Sequence, residues 1–219
     1  MFARFTTLRG DPTKPDSAVT MATAVDQVDG ESRAAVEATP GNRGFAVLAD
    51  PRHARIVGAS YWDCAASMHA SHGTLAAIRD AAAGALGGPD LGEGLGVGVG
   101  VGVECYEVAV AFRHTIPSQG SVVRLSRSLI GPARIDEADV LMYEEVLPRV
   151  KGAHGLCSFQ LLRDRDSGAG MIITTWENQA SAKAFAPVAE QLRARASDRI
   201  GLRFEPPETF EMVRTTAQL

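Results

Sequence analysis

The same six-residue pattern, Trp-acid-x-x-Ala-Ser, occurs once in each half of this chain. Residues 62 to 67 are Trp-Asp-Cys-Ala-Ala-Ser, and residues 176 to 181 are Trp-Glu-Asn-Gln-Ala-Ser. The two motifs are 114 positions apart, and at this same offset the helix breaker Gly73 corresponds to a second breaker, Pro187. Conserved order with changes confined to loops is typical of a duplicated supersecondary unit. The repeat therefore predicts two tandem copies of one structural unit.

The agreement extends beyond the two motifs. Arg4 to Thr6 resembles Arg124 to Ser126, and Tyr106 to Val108 resembles Phe210 to Met212. Tyr106 and Phe210 are 104 positions apart, whereas the two Trp motifs are 114 apart. The difference implies ten extra residues in the first half, between its Trp motif and Tyr106. The run from Gly92 to Val103, rich in Gly and Val, accounts for them. This run matches no phosphate-binding motif. It either extends the strand that follows it or stays a flexible loop, which would be a lid over a cavity mouth or a tolerated insertion.

Hydrophobic periodicity predicts the same order of elements in both halves. The predicted strands of the first half are 2–8, 44–49, 55–62 and 104–114, and those of the second are 122–129, 155–163, 169–176 and 208–215. Helices are predicted within 16–38, 63–73, 74–86 and 135–147, and after Asn178 with a break at Pro187. Each half is thus a β-α-β-β-α-β unit, whose antiparallel sheet has helices on one face only.

This order predicts an α+β protein with two ferredoxin-like halves, residues 1–118 and 119–219. Pro117, Ser118 and Gly120 break the pattern near the boundary. The helix-free face of each sheet must be buried, and the other copy offers a matching face. We therefore expect the halves to pack sheet to sheet as a pseudo-dimeric α/β barrel.

Composition excludes several classes of function. The chain has 219 residues and a formal net charge of −4, which gives no electrostatic case for binding nucleic acid. No apolar run approaches the length of a membrane span, and the first residues do not resemble a secretory signal. Cys64, Cys105 and Cys157 lack metal-ligand spacing, so we expect reduced thiols, a cytoplasmic location and no metal site.

The two Trp motifs, each ending a strand and followed by a short helix, a breaker and a second helix, resemble the dimeric α/β-barrel superfamily. Within it they resemble the antibiotic-biosynthesis-monooxygenase-like group. The resemblance covers most of the chain, as two fused protomers in place of a homodimer. It implies an oxygenase that needs no cofactor, with heme-degrading proteins as another branch of the same group.

Several side chains are candidates for chemistry within this framework. Trp62 and Trp176 either pack a helix on the sheet or line a cavity, and the resemblance implies a substrate-binding role. Arg4 and Arg124 alternate with Thr6 and Ser126, so each arginine either faces solvent or holds an anionic oxygen. Tyr61 adjoins Trp62 on its strand and must point to the opposite face.

His72 follows Trp62 by ten positions and directly precedes Gly73. That spacing resembles the heme-degrading branch, in which the histidine ligates iron. The second half has Ala186 at the matching place. His72 is therefore a candidate catalytic base or donor, and heme through His72 is the alternative cofactor. The pair His69 and His72 also forms His-x-x-His, but no third metal ligand is evident nearby.

These observations lead to three functional hypotheses. The first is a cofactor-independent monooxygenase-like enzyme that acts on a small aromatic or polyketide-type substrate, with His72, Arg4 and Arg124 as catalytic residues. The second is heme binding or degradation, and the third is a non-catalytic protein that binds a small ligand. The expected partner is a small molecule, and the sequence leaves open whether two fused chains form a homodimer.

Overall fold

A computed structural model describes residues 1–13, 17–73, 76, 80, 83–84 and 100–217 of the chain. The chain divides into two compact units, one of residues 1–105 with 211–218 and the other of residues 106–210. Each unit contains an antiparallel sheet with helices, which confirms the predicted α+β class with ferredoxin-like halves.

The first unit contains three complete strands and parts of two others. Its elements are β1 (Phe2–Arg9), α1 (Ser17–Gln27), α2 (Arg33–Glu37), β2 (Asn42–Asp50), β3 (Arg55–Trp62), α3 (Ala65–Ala70) and the start of β4 (Gly100–Arg113). β3 lies between β1 and β2, and the end of β9 (Glu208–Thr215) pairs with β2. Residue 16, where the first predicted helix begins, and most of the predicted helix 74–86 lie outside the described residues.

The second unit repeats this arrangement. Its elements are the end of β4, then β5 (Val122–Leu129), α4 (Ile135–Leu141), α5 (Leu147–Lys151), β6 (Leu156–Arg163), β7 (Ala169–Trp176), α6 (Gln179–Ile200), β8 (Arg203–Phe204) and the start of β9. β7 lies between β5 and β6, β4 pairs with β6, and the short β8 extends β5.

The two units share their strand registers. Phe2 pairs with Trp62 across β1 and β3, and Val122 pairs with Trp176 across β5 and β7. A bulge follows the first residue of β2, at Asn42, and the same irregularity follows the first residue of β6. These correspondences are consistent with the predicted duplication, and they allow the halves to be compared position by position.

The Trp-acid-x-x-Ala-Ser motif forms the same turn in both units. The Glu177 N–H donates to the carbonyl oxygen of Gly155 at 2.9 Å, and Asn178 caps α6 by accepting from the Ser181 N–H at 3.0 Å. Gly155 has φ of 74°, and a Cβ there would overlap the side chain of Ser181. The motif therefore depends on a glycine that precedes the second strand of the unit, a relation that the repeat alone does not reveal.

Proline positions give two corrections to the predicted helices. The helix predicted to end before Pro148 continues to Lys151, because a π-helical segment at Met142–Val146 precedes the proline. Such a segment changes the hydrogen-bond spacing just where proline offers no N–H. The break predicted at Pro187 is also absent, since α6 runs through this exposed residue without interruption.

Both faces of each sheet are buried. On the helix-covered face of the second unit, Phe159 and Trp176 are at most 1% exposed. On the helix-free face, Leu125, Leu162 and Met171 are each 0% exposed.

Among the described residues, no helix combines the length and the apolar character that a membrane crossing requires.

Candidate functional site

The second unit contains a cavity of about 110 Å³ between the helix-covered face of its sheet and its helices. The sheet contributes alternate residues of β5, β6 and β7, which the registers bring side by side: Arg124, Ser126, Ser128, Phe159, Leu161, Arg163, Gly170, Ile172, Thr174 and Trp176. The helices contribute mainly apolar side chains, among them Leu141, Met142, Phe185, Ala189 and Leu192. The result is an apolar chamber with a few polar groups on its sheet side, as is typical of small-molecule sites.

Trp176 and Phe185 form an aromatic wall of the cavity. Their ring centroids are 5.1 Å apart and the rings are tilted by 36°. The indole N–H of Trp176 donates to the Thr174 hydroxyl at 2.9 Å, so the polar atom of the indole is satisfied. Trp176 and Phe185 both line the cavity, so a ligand there would contact aromatic side chains, and the substrate-binding role of Trp176 stays a prediction.

Two arginines from different elements line this cavity. Arg124 comes from β5, and Arg193 comes from the inner face of α6. Partial burial lowers the pKa of Arg193, the nearby positive charge of Arg124 lowers it further, and Glu190 offsets part of the effect. Both guanidinium groups remain charged at neutral pH, because arginine does not deprotonate in proteins. Neither has a hydrogen-bond or ion-pair partner among the described residues.

The hydroxyl of Ser126 adds a third polar group. Ser126 follows Arg124 by two positions on β5, so both side chains lie on the cavity side of the sheet. The residue is 9% exposed, and its hydroxyl oxygen is buried without a partner among the described residues. A buried hydroxyl without a partner is costly unless a ligand or water satisfies it.

The third arginine at the cavity, Arg163, is already engaged. It forms an ion pair with Asp139, and one of its nitrogens lies 3.4 Å from the Ile135 carbonyl oxygen. Burial lowers the pKa of Arg163, and the Asp139 carboxylate opposes this shift. Arg163 therefore stabilises the junction of β6 with α4, whereas Arg124 and Arg193 remain available to a ligand.

The matching arginine of the first unit, Arg4, contacts its own protein. It is buried, at 5% exposure, and donates to the Ser71 hydroxyl at 2.9 Å and to the Met68 carbonyl oxygen. Ser71 corresponds by the motif offset to Phe185, which cannot accept a hydrogen bond. This difference explains why Arg4 holds the end of α3, while Arg124 faces the cavity.

A second difference explains why the second unit has room for a ligand. Leu8 faces Ile56 across β1 and β3, and both side chains are buried in the core. Ser128 faces Gly170 at the matching place across β5 and β7, and both line the cavity. Two large apolar side chains in one copy thus correspond to a hydroxymethyl group and a hydrogen atom in the other.

The remaining predicted site residues lie elsewhere. Trp62 is 0% exposed, and its indole N–H donates to the Ser60 hydroxyl at 3.0 Å, as a core residue would. His72 and His69 are exposed, and His72 is not among the residues that line the cavity. Tyr61 is buried edge-on to Phe5, on the face opposite to Trp62 as predicted. Among the described residues, no group of three His, Cys, Asp or Glu side chains could hold a metal ion.

The sequence prediction omitted Arg193 and Phe185 as site residues, although a signal for both was present. Phe185, Ala189 and Leu192 follow helical spacing on one face, and Arg193 comes eight residues after Phe185 on that same face. A lone arginine within an apolar stripe is a candidate for a ligand site, because it is rarely buried without a partner.

Comparison with known proteins gives distant relatives. No family model matches the sequence. Two uncharacterized proteins of Mycobacterium tuberculosis, Rv2557 and Rv2558, are similar to the chain. The first is 29% identical over 144 residues, which cover 66% of this chain and only 59% of that protein. The second is 24% identical over 213 residues, which cover 97% of this chain and 83% of that protein.

Solved structures resemble the chain over almost its full length. An anthrone oxidase-like protein has a TM-score of 0.64 at 12% identity, with 99% of this chain and 92% of that chain covered. A protein assigned as a monooxygenase from Lactobacillus acidophilus has a TM-score of 0.61 at 10% identity, with 99% and 96% covered.

A heme-degrading enzyme from Listeria monocytogenes has a TM-score of 0.53 at 11% identity, with 96% of this chain and 99% of that chain covered. At these identities the likeness concerns the fold alone. The chain shares the fold of these monooxygenase-like structures over almost its full length, as the resemblance of its two Trp motifs predicts.

Proposed function

We propose that the protein is a cofactor-independent monooxygenase-like enzyme, and that a small aromatic or polyketide-type substrate binds in the cavity of the second unit. The observation that carries this proposal is Arg124, whose charged guanidinium faces an apolar, aromatic-walled cavity without a partner among the described residues. The monooxygenase-like fold and the anthrone oxidase-like neighbour support the same class of chemistry.

The size of the cavity limits what it encloses. An engineered cavity of about 150 Å³ binds benzene, so 110 Å³ accommodates about one ring. A larger polycyclic substrate would keep its other rings outside the chamber. We therefore expect the reacting ring to contact Trp176 and Phe185, with its oxygen toward Arg124.

The first chemical step is ionisation of the substrate. No histidine lines the cavity, and its one carboxylate, Asp164, accepts hydrogen bonds from Ser167 in a turn, which lowers the pKa of that carboxyl group. The described lining thus contains no poised base. A guanidinium beside an enol or phenol favours the anionic form and lowers the pKa of the substrate, so that water can take the proton.

The second step is the reaction of the bound anion with oxygen. The carbanion form of an activated CH₂ group gives an electron pair to O₂, which forms a C–O bond and a peroxide anion. Protonation of the peroxide, loss of the remaining C–H proton and cleavage of the O–O bond then give a ketone and water. The substrate carbon is oxidised and O₂ is reduced, so no further reductant is required. Arg124 would hold the substrate oxygen throughout, and the apolar walls would exclude water from the reacting carbon.

Oxygen consumption tests this proposal. Anthrone and the single-ring ketone benzoylacetone should each consume one O₂ per molecule in the presence of the protein, above the uncatalysed rate. Arg124→Gln should lower kcat/KM at least tenfold, because a charge-assisted hydrogen bond contributes about 1.5–3 kcal/mol. Arg149→Gln removes an equal charge from an exposed site and should have no effect. Equal rates with and without the protein for every such ketone would refute the proposal.

Heme through His72 is the alternative cofactor, and the likeness to a heme-degrading enzyme concerns the same fold. The cavity of the second unit does not suit heme, since no histidine lines it and 110 Å³ is close to the space of a single ring. His72 is an exposed imidazole in the first unit. The residues that line this cavity therefore do not fit heme.

A further inference from the structure

The cavity holds more positive charge than a single phenolate oxygen requires. Arg124 and Arg193 enter it from the sheet and from the helix respectively, and each guanidinium can form two parallel hydrogen bonds. Two like charges at one apolar chamber repel each other, which costs stability unless an anion lies between them. Burial lowers the pKa of Arg193, the proximity of Arg124 lowers it further, and Glu190 offsets part of the effect.

The hydroxyl of Ser126 is a second, separate observation that favours a bound anion. Its oxygen is buried without a partner among the described residues and lies on the strand that carries Arg124. A hydroxyl can donate to one oxygen of an anion while the guanidinium groups share the other. Three donor groups at one cavity match a ligand group with two acceptor oxygens better than a group with one.

The walls restrict the rest of the ligand. Apart from these three residues, the lining is mainly apolar, and Trp176 with Phe185 offers flat aromatic surface. A small hydrated anion such as inorganic phosphate would leave these walls uncovered. A flat aromatic body beside a delocalised anion would cover them and would satisfy the donors.

We propose that Arg124, Arg193 and Ser126 form a recognition site for a planar, singly charged group with two oxygens, attached to an aromatic ring. A carboxylate and the enolate of a β-dicarbonyl compound share this chemistry. The inference rests on the proposed function for the location of the substrate, and it adds the requirement for a second oxygen. Arg193 and Ser126 are thereby specificity-determining residues.

Isothermal titration calorimetry distinguishes a carboxylate ligand from a β-dicarbonyl enolate. Benzoate is compared with its neutral isostere benzamide, and benzoylacetone above its pKa is compared with butyrophenone. We expect at least one of the two anions to bind roughly tenfold or more tightly than its neutral partner. Benzoate alone would identify a carboxylate site, and benzoylacetone alone would identify an enolate site.

Variants then assign the effect to the residues. Arg193→Gln should weaken binding of the preferred anion by roughly tenfold or more, Arg193→Lys should recover part of it, and Ser126→Ala should weaken it severalfold. Arg149→Gln is the charge control, and thermal unfolding of each variant checks the fold. Equal affinity for anion and neutral isostere, or unchanged affinity in Arg193→Gln, would overturn the inference. Anion binding without oxygen consumption would refute the enzymatic proposal and leave the recognition site intact.

Discussion

Filling the cavity should stabilise the protein and abolish ligand binding together. Ser128 faces Gly170 across β5 and β7, whereas Leu8 faces Ile56 at the matching place in the first unit. Ser128→Leu therefore introduces a side chain that the same framework already accommodates against a larger neighbour. Cavity volume costs about 24 cal/mol per Å³, so filling all 110 Å³ would contribute about 2.6 kcal/mol.

A leucine fills only part of this space, so we expect the free energy of unfolding to rise by about 1–2 kcal/mol. For a chain of this size, the melting temperature should rise by about 2–8 °C. Urea unfolding followed by circular dichroism gives the free energy, and benzoylacetone titration gives the affinity. The reasoning fails if Ser128→Leu destabilises the protein, or if it binds the ketone as tightly as the parent chain.

The reverse change in the first unit is the matched control. Leu8 is 3% exposed and belongs to the core around Trp62. Leu8→Ser should lower the free energy of unfolding by about 2–5 kcal/mol, because it leaves a cavity and buries a hydroxyl. It should not change the affinity for benzoylacetone. If Leu8→Ser weakened benzoylacetone binding as much as Ser128→Leu does, the binding site would not be specific to the second unit.

Further predictions concern the framework. Arg4→Gln should lower the free energy of unfolding by about 1–3 kcal/mol, since two hydrogen bonds to the end of α3 are lost, and calorimetry should show unchanged ligand affinity. Gly155→Ala should cost at least about 2 kcal/mol in urea unfolding, because φ is 74° and Ser181 occupies the Cβ position; Gly152→Ala, with only ordinary contacts, should be tolerated. Burial alone would raise the pKa of Asp50, but hydrogen bonds from an arginine and a histidine lower it below its ordinary value. A lowered folded-state pKa stabilises the protein above the unfolded value near 3.9, so stability should fall below about pH 4, and Asp50→Asn should reduce that loss. Hemin added to the parent chain and to His72→Ala should give the same absorption spectrum, and a Soret shift specific to the parent would support the heme alternative instead.

The strands could be predicted from the sequence because apolar and polar residues alternate along them. The repeat between the two halves then tests each predicted strand against its counterpart. β3, β5 and β7 have the predicted bounds, and β1 differs by one residue. The helices were less predictable where proline occurs. A proline signal in the sequence does not reveal whether a π-helical segment or an exposed helix face will accommodate the missing N–H, and α5 and α6 show one solution each.

The site was predictable only in part. Arg124 and Trp176 are both predicted site residues, and the structure places both at one cavity. The orientation of Arg4 depends on Ser71, a residue from another element, and no local pattern encodes that contact. His72, the predicted base or donor, lies in the first unit, whereas the cavity of the second unit is lined by the small side chains of Ser128 and Gly170. A comparison of side-chain volume at matched positions would have found this difference.

A crystal structure with benzoylacetone bound as its enolate tests the central claim most directly. We predict one molecule in the second unit, with its ring against Trp176 and its two oxygens within hydrogen-bond distance of Arg124, Arg193 or Ser126. A ligand bound elsewhere, or arginines turned away to protein carboxylates with the cavity empty at saturating ligand, would contradict the account.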